Sequence, residues 1–169
     1  GPLGNSFIGL SYGYGKWYQI LLDSTGKRQQ AATVPMEGQF LSGVVRAAKN
    51  PVDGQLYTVG LDGWGDYSVK DGCFHRVRFT GKQMYKPVSY KTYYNGLKID
   101  FPVKLNGESV KNIKNYFAQQ WDYLHSRTYG SPEFSVRQPD KLGHDILAIK
   151  SVQLLEGERS IFVEIPKLH

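Results

Sequence analysis

The sequence predicts an all-β protein, an antiparallel β-sandwich with an additional small sheet. Three observations carry this. Aromatic side chains are abundant, at 14% with 12 Tyr among 169 residues, and such residues suit a half-buried pleated surface. Glycine is frequent too, at 19, and it clusters with Asn, Asp and Pro in the short runs that turn a chain. Between these clusters the apolar residues mostly recur at every second position, the period of a strand with a buried face.

Each element follows from this pattern. Trp17 to Leu22 alternates as a strand buried on at least one face, with a turn at Ser24-Thr25-Gly26. Short apolar pieces at Ala32–Met36 and Phe40–Ala48 precede the strong turn Asn50–Gly54 and a strand at Gln55–Leu61. A loop rich in Asp and Gly covers Asp62–Gly72. Then Cys73, His75, Val77 and Phe79 alternate with Phe74, Arg76 and Arg78. Composition shifts near Gly81, and Pro87 punctuates a connector, so residues 5–86 and 87–169 read as two subdomains packed together. In the second, Leu97, Ile99, Phe101, Val103 and Leu105 share a face, and Asn106-Gly107 reads as the turn that ends this strand. Val110, Ile113, Phe117, Trp121 and Leu124 also fit a helical stripe; the favoured reading is a short helix over Ser109–Lys114, with Ser109 able to cap it. A strand from Tyr116 to Leu124 follows, whose aromatic face holds Phe117, Gln119, Trp121 and Tyr123. The chain closes on a hairpin turning at Glu156-Gly157-Glu158, with Ile161, Val163 and Ile165 on one side.

Composition bounds the function. The net charge of +6 is spread along the chain, and Lys and Tyr alternate only loosely over Lys82–Tyr94. No dense Lys/Arg block marks a nucleic-acid partner. No run is apolar enough to span a bilayer. Cys73 is the sole cysteine, so an internal disulfide, a CxxC metal pair and a haem-attaching CxxCH are all excluded. Gly1-Pro2-Leu3-Gly4 reads as the remnant of a cleaved fusion tag.

Four motifs could carry chemistry. Gly9-Leu10-Ser11-Tyr12-Gly13 fits G-x-S-x-G, the nucleophile elbow of serine hydrolases. An elbow needs a helix after the serine, yet Gly13, Gly15 and a strand-like segment follow, so Gly9, Gly13 and Gly15 read as turn residues between two strands. Asp62, Asp66 and Asp71 sit among glycines, a weak candidate for a hard cation, which wants several oxygens; turn chemistry explains the same residues. His75, His125, His144 and His169 show no ligand spacing, and His144 beside Asp145 reads as a strand-entry turn. Finally, Trp17, Trp64, Tyr67, Trp121 and Tyr123 could present flat faces for sugar rings, or else pack the core.

Two stretches carry a resemblance. Pro51-Val52-Asp53-Gly54-Gln55-Leu56-Tyr57, an Asp-Gly loop, and then Arg76-Val77-Arg78-Phe79-Thr80-Gly81 resemble the closing blade of bacterial six-bladed propellers related to soluble glucose/sorbosone dehydrogenases. The stretch from Asn115 to Leu168 resembles the Ig-like β-domain that follows this propeller in large exported cytochrome-containing proteins of polysaccharide-degrading bacteria. The resemblance implies a blade-like sheet at residues 5–86 and an Ig-like sheet at residues 87–169. It also implies an extracellular or periplasmic parent with redox chemistry, in which haem c or a quinone is held elsewhere. No residue here matches those ligands. The expectation is therefore a non-catalytic module with no cofactor of its own, contacting neighbouring domains of the same chain. Two alternatives stand beside it: a carbohydrate-binding module taking polysaccharide, and a serine hydrolase acting through Ser11.

Overall fold

The computed structural model describes residues 6–25, 28–65, 67–166 and 168. Strands make up 44% of it, helix is almost absent, and the sheets are small and antiparallel, so the protein is all-β. Among the described residues no helix is long and apolar enough to cross a membrane. Two compact units divide the chain, one running to Ser89 and one starting at Tyr90.

The first unit holds two three-stranded meanders. β1 (Phe7–Ser11), β2 (Lys16–Thr25) and β3 (Arg28–Pro35) form one of them. Gly9 is not a turn residue: it lies within β1, opposite Tyr18. The sequence places a turn at Ser24-Thr25-Gly26, but β2 runs on through Ser24 and Thr25, which pair with Gln29 and Arg28; Gly26 is outside the described residues. The buried face of β2 carries Gln19, Leu21 and Asp23, while Leu22 is half exposed. Gln19 Nε2 donates to Ser6 Oγ at 3.0 Å, which satisfies one end of this buried amide.

β4 (Gly43–Lys49), β5 (Leu56–Leu61) and β6 (Gly72–Val77) form the second meander, with a β-bulge between Val44 and Arg46. The Asn50–Gly54 turn closes as the sequence predicts. Asn50 Oδ1 accepts from Val52 N at 2.9 Å, and Gly54 adopts φ +68°, a conformation that favours glycine. One face of this sheet is packed: Val44 and Thr58 are fully buried, as is Ser42 in the preceding segment. His75 belongs to that face. Its Nε2 accepts from Leu41 N at 3.3 Å, and its ring meets Phe40 edge-on at 5.3 Å.

The second unit is built on a four-stranded sheet. β7 (Ser89–Tyr93), β8 (Gly96–Asp100), β13 (Ser151–Leu154) and β14 (Ser160–Glu164) lie in the order β13-β14-β8-β7. Val152, Ile161, Val163 and Ile165 join Leu147 and Val110 in one buried cluster, with Ile99, Phe101 and Leu105 packed against it. Val110 comes from α1 (Gly107–Lys111), so this helix forms part of the layer over the sheet. Asn106-Gly107 is therefore no hairpin turn. Asn106 caps α1, its Oδ1 accepting from Ser109 N at 2.9 Å, and Ser109 lies inside the helix it was expected to cap. The late hairpin turns as expected, with Gly157 at φ +83° and Glu158 at φ +58°.

The expected strand over Tyr116–Leu124 is broken into two short pieces. β9 (Gln119–Gln120) pairs with β12 (Asp145–Ile146), and β10 (Asp122–Tyr123) pairs with β11 (Glu133–Phe134). This change of partner at Trp121 gathers residues far apart in sequence onto one surface.

Candidate functional site

Ser11 ends β1, and a four-residue link leads directly into the next strand. Its Oγ accepts from Tyr14 N at 3.2 Å, the hydrogen bond of a local turn. No helix follows to supply oxyanion donors, so the elbow pattern lacks the geometry that gives it meaning. The tight closure comes from Gly15 at φ +56°, where a β-carbon would press on the Phe40 and Ser42 carbonyl oxygens.

The Asp-Gly loop closes at its base, where Asp62 N donates to Asp71 O at 2.8 Å. Asp66 lies outside the described residues. Among the described residues no three His, Cys, Asp or Glu side chains converge as a metal site would require. Trp64 stands at the tip, 92% exposed. Tyr67 anchors the loop, its N–H donating to Gly13 O at 2.8 Å. Trp17 is half-buried and ties strand β2 to the segment after β3, its Nε1 donating to Glu37 O at 2.9 Å. These three aromatics do not form one common surface of stacked rings.

Trp121 and Tyr123 do come together with others. The register Asp145↔Gln120 and Ile146↔Gln119 sets His144 opposite Trp121 on the same face. The two rings stack at 4.4 Å with an interplanar angle of 18°. Trp121 Nε1 donates to Tyr123 Oη at 3.3 Å, and Tyr123 pairs across the strands with Glu133. Glu133 Oε2 in turn hydrogen-bonds His144 Nε2. The result is a closed ring of contacts: Trp121 to Tyr123, Tyr123 beside Glu133, Glu133 to His144, and His144 back onto Trp121. Trp121 remains 37% and Tyr123 61% exposed. Exposed Phe117, Gln119 and Ile146 extend the face. His144, read from sequence as a turn residue, and Glu133, which carried no signal at all, are the members that sequence reasoning missed.

Asp145 secures this cluster from beneath. Ser135 Oγ donates to its Oδ1 at 2.7 Å and Arg137 N to its Oδ2 at 3.0 Å. The Ser135 hydroxyl, with the Arg137 N–H after it, holds the carboxyl below its usual range against the opposing effect of burial.

A second surface lies on the first unit. The outer face of β4-β5-β6 carries Tyr57, Val59, Leu61 and Phe74, with Arg46 and Arg76 at opposite edges of the rows Arg46/Val59/Phe74 and Ala48/Tyr57/Arg76. Tyr57 and Phe74 stack at 5.6 Å, and Tyr57 Oη donates to Asp53 Oδ2 at 2.8 Å. Phe74 is 70% exposed. A sheet face of this composition is unusual in contact with water.

No protein-family model, curated protein or solved structure matches the chain.

Proposed function

We propose that the chain is a non-catalytic β-module of a larger exported, redox-associated protein, and that its task is contact with neighbouring domains. One observation carries this reading: the outer face of β4-β5-β6 is apolar and open, with Val59, Leu61 and Phe74 all exposed. A blade-like sheet needs a neighbour over each face, and here one face is packed while the other leaves Val59, Leu61 and Phe74 exposed among the described residues. In this reading haem c or a quinone, where the parent carries one, is held by other domains.

Solvent accessibility of the face tests it. Val59→Cys in a Cys73→Ser background should react quickly with a thiol reagent in the isolated chain. In the full-length gene product the same thiol should react at least about tenfold more slowly, the protection a buried contact gives. Equal rates in the two proteins, each with native circular dichroism, would overturn the reading.

A further inference from the structure

We propose that the face formed by Trp121, Tyr123, Glu133 and His144 binds a neutral carbohydrate, with one pyranose ring lying on the indole of Trp121. The inference stands apart from the contact role assigned to the β4-β5-β6 face and concerns a different unit.

Trp121 is an exposed aromatic that cannot swing freely, because His144 backs one side of the ring and Nε1 is tied to Tyr123 Oη. A ring fixed before the ligand arrives loses little freedom on binding. The imidazole backs the indole on one side, and the 37% of Trp121 that stays exposed is the surface a partner would meet. A pyranose offers a matching surface, since its axial C–H groups form an apolar face while its hydroxyls project around the edge.

The polar groups sit where those hydroxyls would reach. The Tyr123 hydroxyl, the Glu133 carboxylate, the His144 ring and the exposed Gln119 amide together supply donors and acceptors beside Trp121, drawn from the β9-β12 and β10-β11 pairs. The charge balance selects among ligands. None of the described side chains named for this face is Lys or Arg, so it lacks the permanent positive charge that favours an anion. Its carboxylate is already engaged by His144, which weakens its pull on a cation. A neutral polyol, which needs both donors and acceptors and no net charge, fits this set. Trp64 makes an internal comparison, because it is more exposed than Trp121 and, among the described residues, no ring stacks against it as His144 does against Trp121.

The test uses the 169-residue chain and three named probes: cellohexaose, xylohexaose and mannohexaose, titrated by calorimetry and by tryptophan fluorescence. Binding to at least one is expected. Trp121→Ala should weaken it by about tenfold or more, the scale of one lost stacking contact, and Glu133→Gln by a smaller factor. Trp64→Ala should leave binding unchanged. If Trp121→Ala fails to fold, Trp121→Phe with Glu133→Gln decides, and both must weaken binding. No binding to any probe at millimolar concentration overturns the proposal. So does binding that survives Trp121→Ala, or binding only to polygalacturonate, an anionic control. Capture of an apolar peptide by this face without sugar binding would reassign it to a protein partner and equally overturn the proposal.

Discussion

Replacing Gly60 with alanine should destabilise the first unit by about 2 kcal/mol net, overpacking partly offset by a gain in the unfolded chain. Gly60 lies in β5 between Val44 of β4 and Cys73 of β6. A β-carbon there would overlap the Gly43 carbonyl oxygen and come within 2.7 Å of Cys73 Sγ. The thiol can rotate away. The carbonyl cannot, because Gly43 is paired with Leu61 next to the bulge that sets the register. Overpacking of this kind costs roughly 1–3 kcal/mol, and a backbone obstacle places it near the upper end. Alanine returns roughly 0.5–1 kcal/mol by restricting the unfolded chain. For a unit of this size the net loss lowers the melting temperature by about 8–16 °C. Urea titration followed by amide resonances of β4 to β6 reads this unit separately from the other. Adding Cys73→Ala should recover only part of the loss. A midpoint unmoved by Gly60→Ala, or full recovery with Cys73→Ala, would refute the backbone contact and with it the close approach of β4 to β5.

The remaining expectations concern both units. Ile161→Ala should cost the second unit roughly 2–5 kcal/mol, as buried isoleucine truncations do, seen in denaturant unfolding of the β13-β14-β8 amides; a loss under about 1 kcal/mol would contradict its place in the core. Asn106→Ala should remove about 1 kcal/mol by uncapping α1, with faster exchange of the Ser109 amide as its marker. Asp145 has a folded pKa below its usual value of 3.8, so its contribution is complete above that value and is lost as pH falls through the lower folded value. Protection of the Glu133–Asp145 amides, taken relative to intrinsic exchange at each pH, should therefore fall below about pH 4 in the native protein and lose most of that dependence in Asp145→Asn. Ser11→Ala should leave reactivity towards a fluorophosphonate at background and cost no more than the roughly 0.5–1.5 kcal/mol of one turn hydrogen bond; specific labelling of Ser11 would restore the hydrolase reading.

The parts of the fold that were legible in sequence are those set by local rules. The alternation of Ile161, Val163 and Ile165 and the Gly157 turn are read within a few residues, and both stand in the structure. Asn106-Gly107 shows where local rules compete. The same dipeptide signals a hairpin, and the same asparagine signals a helix cap. The apolar Val110 settles the matter only because a sheet is present for it to cover. The Tyr116–Leu124 stretch was legible as strand but not as two strands, since the switch of partner at Trp121 depends on β11 and β12. For the same reason Glu133 and His144 could not be joined to Trp121 from spacing. Their meeting is a product of register between β9 and β12 and between β10 and β11.

The pattern on β5 and β2 gives the proposed domain contact a physical reason. An antiparallel sheet with one covered face ordinarily turns its apolar residues inward and its polar residues out. β5 does the reverse: Thr58 is buried with no hydrogen-bond partner for its Oγ1 among the described residues, while Val59 and Leu61 face outward. β2 does so in part, burying Gln19 and Asp23 on either side of Leu21 while Leu22 stays half exposed. A one-residue slip would exchange the two sets, yet the register is held by the bulge, the Asn50–Gly54 turn and Gly60, which fits only where it is. A sequence that keeps this register while leaving valine, leucine and phenylalanine outside is consistent with a sheet selected to be covered on both faces. Val59, Leu61 and Phe74 are already partly buried, at 41%, 46% and 70% exposure, so covering what remains of all three would contribute roughly 2–5 kcal/mol. That is a sizeable share of the stability of a small domain, so the proposed cover over the outer face of β4-β5-β6 would raise the stability of the first unit measurably.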